Sequence, residues 1–131
     1  MDKIVKTGLK IDLHIHSAAS AHKDGVKVKN NTLENIGILI EKLNDNEVNL
    51  CSITDHDTFS YEMYQGLKAA EPMDNSIQKV LPGVEFSVSF ANEGKESVIH
   101  VVTIFTDEDE VKVQKLESIL KNNRPNYNDA Y

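Results

Sequence analysis

Apolar and polar residues alternate over Ile11-Asp12-Leu13-His14-Ile15-His16, the period of a half-buried β-strand. Ser17 to Asn30 is polar and reads as a long loop. Asn31 with Glu34 resembles a capping box, asparagine replacing the usual hydroxyl residue. Leu33, Ile36, Ile40 and Leu43 then fall on one helical face. Val48 to Thr54 predicts a second strand. A second helix is expected from about Thr58 to Ala70, with Phe59, Met63, Leu67 and Ala70 facing inward, Asp57 or Thr58 at its N-cap and Pro72 as its stop. Lys79-Val80-Leu81 reads as a short strand, and Pro82-Gly83 bends the chain into another over Val84 to Phe90. Asn92 to Gly94 is a turn signal. Val98 to Phe105 is nearly all apolar, which predicts a strand buried on both faces. Thr106 is expected to cap a last helix through Val113, Leu116, Ile119 and Leu120, closed by Pro125. This order predicts an α/β fold with a mostly parallel sheet, in which ligands gather at the carboxyl ends of the strands.

A chain of 131 residues suffices for one domain with a modest core. No apolar run reaches the ~18 residues of a membrane span. Met1 to Lys10 is basic but lacks the apolar segment of a signal peptide. The single cysteine, Cys51, has no internal partner, and these features favour the cytoplasm. The formal net charge of −7 argues against a general nucleic-acid binder. It leaves a phosphate-bearing substrate open, because bound divalent cations reverse the charge locally.

The chemistry lies in the histidines. His14 and His16 share a strand face with Asp12, and two converging imidazoles form a natural chelate for zinc and similar metals. A hydrogen-bonded surface pair is the plainer alternative. His56, in Thr54-Asp55-His56-Asp57, directly follows the second strand and taken alone is a loop or cap residue. Glu85 opens a strand face shared with Ser87 and Ser89, where an exposed carboxylate is the ordinary case. His100, inside an apolar strand, taken alone reads as a satisfied core histidine. His22, in the polar loop, carries no signal by itself. Cys51 sits among apolar neighbours and reads as core. Together, four segments place a ligand-type side chain in or just after a predicted strand, and none of the five histidines falls on a predicted helix.

Asp12-Leu13-His14-Ile15-His16-Ser17 resembles the first motif of the polymerase and histidinol phosphatase (PHP) superfamily. Ile53-Thr54-Asp55-His56-Asp57 resembles its second motif, Pro82-Gly83-Val84-Glu85 its third, and Ile99-His100-Val101 a later histidine strand. The likeness runs from about Lys10 to Phe105. It implies a distorted β/α barrel with helices outside, two to three divalent metal ions (zinc, manganese or iron), and hydrolysis of a phosphomonoester or a nucleic-acid end or diester by a water that the metals activate. It further implies that His14 and His16 hold one metal, Glu85 bridges it to a second on His100, and His22 with His56 hold a third. Asp12 and Asp55 are candidates for orienting imidazole N–H groups, with a structural cap or turn role as the alternative for each. Family members carry a later histidine and an Asp-x-His pair, and no histidine follows His100 here. The resemblance therefore implies a domain lacking its C-terminal part, or one completed by another chain or a second copy, or a non-catalytic metal-binding or scaffold module. Thr54 to Gln65 and His100 to Asp109 are similar to PHP modules fused ahead of an SMC-like ATPase, some acting in nucleic-acid processing or phage defence.

Overall fold

The computed structural model describes residues 8–128. In chain order its elements are β1 (Ile11–Ile15), a 3-10 turn (Ala18–Ser20), the short helix α1 (Ala21–Asp24), two further 3-10 turns (Gly25–Lys27 and Leu33–Asn35), α2 (Ile36–Asp45), β2 (Leu50–His56), α3 (Tyr61–Lys68), β3 (Lys79–Val80), β4 (Gly83–Asn92), β5 (Lys95–Ile104) and α4 (Glu110–Asn128). They form a mixed α/β unit around one curled, half-barrel sheet of mostly parallel strands. β2 is central. It runs parallel to β1 on one side and to β3 and β4 on the other, and β5 returns antiparallel to β4.

β3 and β4 are two halves of one strand. Cys51 pairs with Val80 and Thr54 with Gly83, the same offset, so the register continues across Leu81-Pro82. Proline has no N–H for the ladder, which explains the break. The expected bend is thus a gap in hydrogen bonding that leaves alignment intact. Gly83 lets β4 approach closely, since a Cβ there would lie 2.6 Å from Ser52 Oγ and 2.7 Å from Thr54 Cγ2.

The sheet has two unlike faces. Cys51, Ile53 and Val84 point outward and are buried with Met63 and Leu67 of α3 and Val113 and Leu120 of α4. Burial, then the charges of Asp12 and Glu71, push the Cys51 thiol up to about 12. It stays protonated, which makes it a core side chain rather than a nucleophile. The opposite face carries Ser52 and Thr54, then His56.

Several local expectations change. Ser60 caps α3, its Oγ accepting the Met63 N–H, because Asp57 is occupied elsewhere. Asn31 does not cap α2. Its amide donates to His16 O, and its carbonyl accepts from Ala18, so it pins the preceding segment to the strand end. That segment, expected as loop, is a chain of short helical turns. Asp109 caps α4 by accepting from Val111 and Lys112, while Thr106 takes the Glu108 N–H. α4 continues past Pro125 to Asn128. The largest difference is β5. It was expected to be covered on both faces, yet it is the sheet's edge and is exposed from Lys95 to Val102, with Val98 at 55%. Apolar composition permits burial, but burial needs a neighbour, and among the described residues none flanks its second edge. The β4–β5 turn fits expectation: Glu93 (φ 53°) and Gly94 (φ 79°) form a two-residue connection with both φ positive.

An ionic clasp closes the end of the sheet away from His56. Lys68 Nζ donates to Glu71 (2.8 Å), Asp107 (2.9 Å) and the Val80 carbonyl (3.2 Å), and Lys79 pairs with Asp107 as well. Hydrogen bonding from Lys79, and then from Lys68, outweighs burial and lowers the Asp107 carboxyl to about 2. A depressed folded-state value means that Asp107 stabilises the fold above the ordinary carboxylate range and loses this contribution as pH falls toward 2. Native protein should therefore exceed Asp107→Asn in stability by on the order of 1 kcal/mol at neutral pH. The gap should close between about pH 4 and pH 2 in acid-unfolding titrations, and a gap independent of pH would contradict this.

Candidate metal centre

β1 reaches the strand ends through a bulge. Asp12 pairs with Cys51 but Ile15 pairs with Ile53, so β1 has an extra residue over this stretch. Both backbone groups it frees are satisfied by side chains. Thr54 Oγ1 donates to the Leu13 carbonyl (2.9 Å), and Asp12 Oδ1 accepts the His14 N–H (3.1 Å). His14, within the bulge, and His16, just past it, both approach Glu85.

β2 and β4 bring His56 and Glu85 together. The pair sits in register, and beyond it Asp57 adopts a positive φ (56°) that turns the chain out of the sheet. Its N–H donates to the Glu85 carbonyl (2.9 Å), and its Oδ1 accepts the Ser87 N–H (2.8 Å). Asp55 anchors the segment that covers this end. Its carboxylate accepts from the Ser17 N–H (2.6 Å), Ser17 Oγ (2.6 Å) and Ser20 Oγ (2.7 Å). Ser20 Oγ in turn accepts the His56 N–H (2.9 Å).

The result is a carboxylate ringed by imidazoles. Glu85 is 2% exposed. Its Oε1 lies 2.7 Å from His14 Nε2, and its Oε2 lies 2.8 Å from His56 Nδ1, 3.3 Å from His16 Nε2 and 3.6 Å from His100 Nδ1. Asp24 meets the remaining nitrogens of two of these rings, 2.6 Å from His16 Nδ1 and 3.3 Å from His56 Nε2. Burial alone would raise the Asp24 carboxyl. The hydrogen bond and charge of His16, then those of His56, hold it below the ordinary value.

Distance alone would suggest ion pairs inside the cluster. Alignment argues otherwise. His16 Nε2, His56 Nδ1 and Glu85 Oε2 are buried and form no hydrogen bond, although they approach one another closely. They crowd together without a hydrogen bond aligned between any two of them. Buried polar atoms left this way are costly until a bound ion, a water or a shared proton partners them. Three overlapping groups have the spacing of metal ligands: His14, His16 and Glu85; His56, Glu85 and His100; and His16, Asp24 and His56.

No protein-family model matches this sequence, and no curated protein matches it. No helix among the described residues is long and apolar enough to cross a membrane.

Of the residues singled out from the sequence, His14, His16, His56, Glu85 and His100 lie in one cluster. His22 stands outside these groups. It is exposed, with Nδ1 3.1 Å from the Ala19 carbonyl. Asp24 stands inside. The two are two residues apart on α1, and such positions do not face the same way on a helix. Asp12 and Asp55 were expected to orient imidazoles. They hold backbone and serine groups instead, the structural alternative, and Asp24 joins Glu85 in contacting imidazole nitrogens. Asp24 had a faint signal, being the sole acidic residue between Asp12 and Glu34. His100 is half exposed on the edge strand, not satisfied in a core.

Proposed function

We propose that this protein is a metal-dependent phosphoesterase. The observation that carries the metal half is the buried Glu85 carboxylate, with several imidazoles aimed at it and three buried donor atoms left without hydrogen bonds. Support for the hydrolytic half is the likeness of the four motifs to the PHP superfamily. A donor set of imidazole and carboxylate suits zinc, manganese or iron.

Two cations fit the donors best. His14, His16 and Glu85 would hold one, and His56, Glu85 and His100 would hold the other. A third ion in the Asp24 group would require His16 and His56 each to ligate through both ring nitrogens. Asp24 instead serves as a positioning residue, fixing the tautomer and tilt of both rings, as carboxylates beside ligating histidines do. Bound divalent cations supply Lewis acidity at the phosphoryl oxygens and an acidified water. The protein's own share is to hold and orient. Glu85 belongs to both groups, Thr54 and Asp12 fix the aim of His14 and its neighbours, and Asp55 keeps the covering segment closed over His56. Lys23, whose Nζ donates to Ser87 Oγ (2.9 Å), adds a cation at the rim that suits a phosphate oxygen.

Elemental analysis of protein purified without added metal, paired with p-nitrophenyl phosphate hydrolysis after manganese or zinc addition, tests this reading. About two ions per chain and metal-dependent turnover are expected. Absence of both would end it. Asp24→Asn should weaken metal binding by about 10–100-fold, whereas His22→Ala should leave the metal content as it is. Equal loss in both variants would return His22 to the ligand set. The exposure of His14 (61%) and His100 (47%) favours a second reading, a water-open metal-binding module without catalysis. Full metal content without turnover of any phosphoester would select it.

A further inference from the structure

Beside the cluster, a groove of about 460 Å³ runs between the turn ending at Lys27 and the helix α2, and His16 forms part of its wall. Its volume lies within the range of small-molecule sites, about 300–1,000 Å³. Its chemistry differs from that of the metal centre. Lys27 and Lys42 contribute ammonium groups, and neither is paired with a carboxylate among the described residues. Asn30, Asn31 and Asn35 contribute amides. Two of these are already oriented: the Asn31 amide donates to the His16 carbonyl (2.8 Å), and the Asn35 amide donates to the Asn30 carbonyl (2.9 Å). That leaves side-chain carbonyl oxygens and the Asn30 amide for a ligand. Val28, Leu39 and the half-exposed Ile38 supply an apolar floor.

We infer that this groove holds the organic part of the substrate and that Lys27 and Lys42 bind a second anionic group on it, while the phosphoester to be cut lies at the Glu85 cluster. The inference rests on the phosphoesterase reading and adds the substrate class: a small phosphoester carrying a second phosphate or a carboxylate. Three features favour it. His16 is common to both sites, so the groove adjoins the cluster. The two lysines stand out in a chain of net charge −7, where acidic surface would repel a dianion arriving elsewhere. The same acidity opposes a long nucleic-acid track, which needs an extended basic stripe. The groove also separates recognition from chemistry, since the apolar floor and amides fit a carbon skeleton while the lysines choose its charge.

The test compares three probes with manganese-loaded protein. They are fructose 1,6-bisphosphate, 3-phosphoglycerate and p-nitrophenyl phosphate, the last carrying no second anion. The native protein should favour the first two in kcat/KM over the third by about tenfold or more. In Lys27→Ala/Lys42→Ala that preference should fall about tenfold, and Lys27→Arg/Lys42→Arg should restore much of it. Titration calorimetry with fructose 1,6-bisphosphate should show the same order in Kd, and it requires no turnover. A preference unchanged in the alanine variant, together with an unchanged Kd, would overturn the groove assignment while leaving the hydrolase reading intact. Loss of all turnover with the Kd difference retained would do the reverse. If a short single-stranded oligonucleotide bound more tightly than fructose 1,6-bisphosphate and lost that advantage in the alanine variant, the small-molecule class would be wrong. If the second-anion preference divided between phosphate and carboxylate, the better of the two would name the group.

Discussion

Glu85→Gln should strip the cluster of metal and lower phosphoester hydrolysis by more than about a hundredfold. Loss of an outer supporting group costs metal sites about 10–100-fold, and Glu85 is the one side chain that both proposed ion positions share. Glutamine keeps the size of the side chain but removes its charge. It also puts an amide N–H₂ where an oxygen now faces His14 Nε2 at 2.7 Å or His56 Nδ1 at 2.8 Å. The substitution should not unfold the protein, since it relieves a buried carboxylate of its desolvation cost. Unchanged or raised thermal stability without metal, together with near-zero metal by elemental analysis, is the expected pair of results. Full metal retention in the variant would show that the bridge lies elsewhere. His14→Ala should be milder, because that ring is the most exposed of the four around Glu85.

Asp55→Ala should be the most damaging change to the fold among the residues of this region, at about 3–5 kcal/mol. Its carboxylate is 1% exposed and accepts three hydrogen bonds from Ser17 and Ser20, themselves fully buried. Alanine leaves those donors without partners, and each buried orphan costs about 1–3 kcal/mol. The segment that covers His56 then loses its anchor, so metal binding should weaken as well. Urea unfolding in chelator isolates the structural part, because neither protein then gains from a bound ion. A destabilisation below about 1 kcal/mol would mean that water replaces the carboxylate and that Asp55 is not the anchor described. Asp12→Ala makes a useful comparison. It frees only the His14 N–H, in an exposed setting, and should cost well under half as much.

Strand period made β1 and its paired histidines legible, because a two-residue repeat fixes which side chains share a face. The bulge was not legible: it depends on Ile15 pairing with Ile53 and not Thr54, a property of two strands together. Helix faces were readable from Leu67 and Val113, which do lie in the core. Helix starts were not, because Ser60 and Asp109 compete with neighbours of equal capping ability, and tertiary demands decide. The claim of β4 on Asp57, through the Ser87 N–H, removes that residue from capping duty. Asp24 escaped notice for a similar reason: its role exists only once α1 folds back over His16 and His56. β5 shows the opposite failure. Its composition states what surroundings the strand tolerates, and says nothing about whether they are there.

The bulge in β1 also bears on how fast ions would come and go at the proposed site. Thr54 and Asp12 already occupy the backbone groups it releases, so the β1 histidines hold their aim with no ion present. Uptake then needs no coupled folding, unlike a zinc finger that is unstructured until it is loaded. Circular dichroism should scarcely change on loading, and exchange should be set by ligand and water dissociation rather than by unfolding. A donor set held this rigidly would discriminate among divalent ions by size and preferred coordination geometry. Among ions that suit it, the one the cellular pool buffers at the highest free level, weighted by its intrinsic affinity, would fill it.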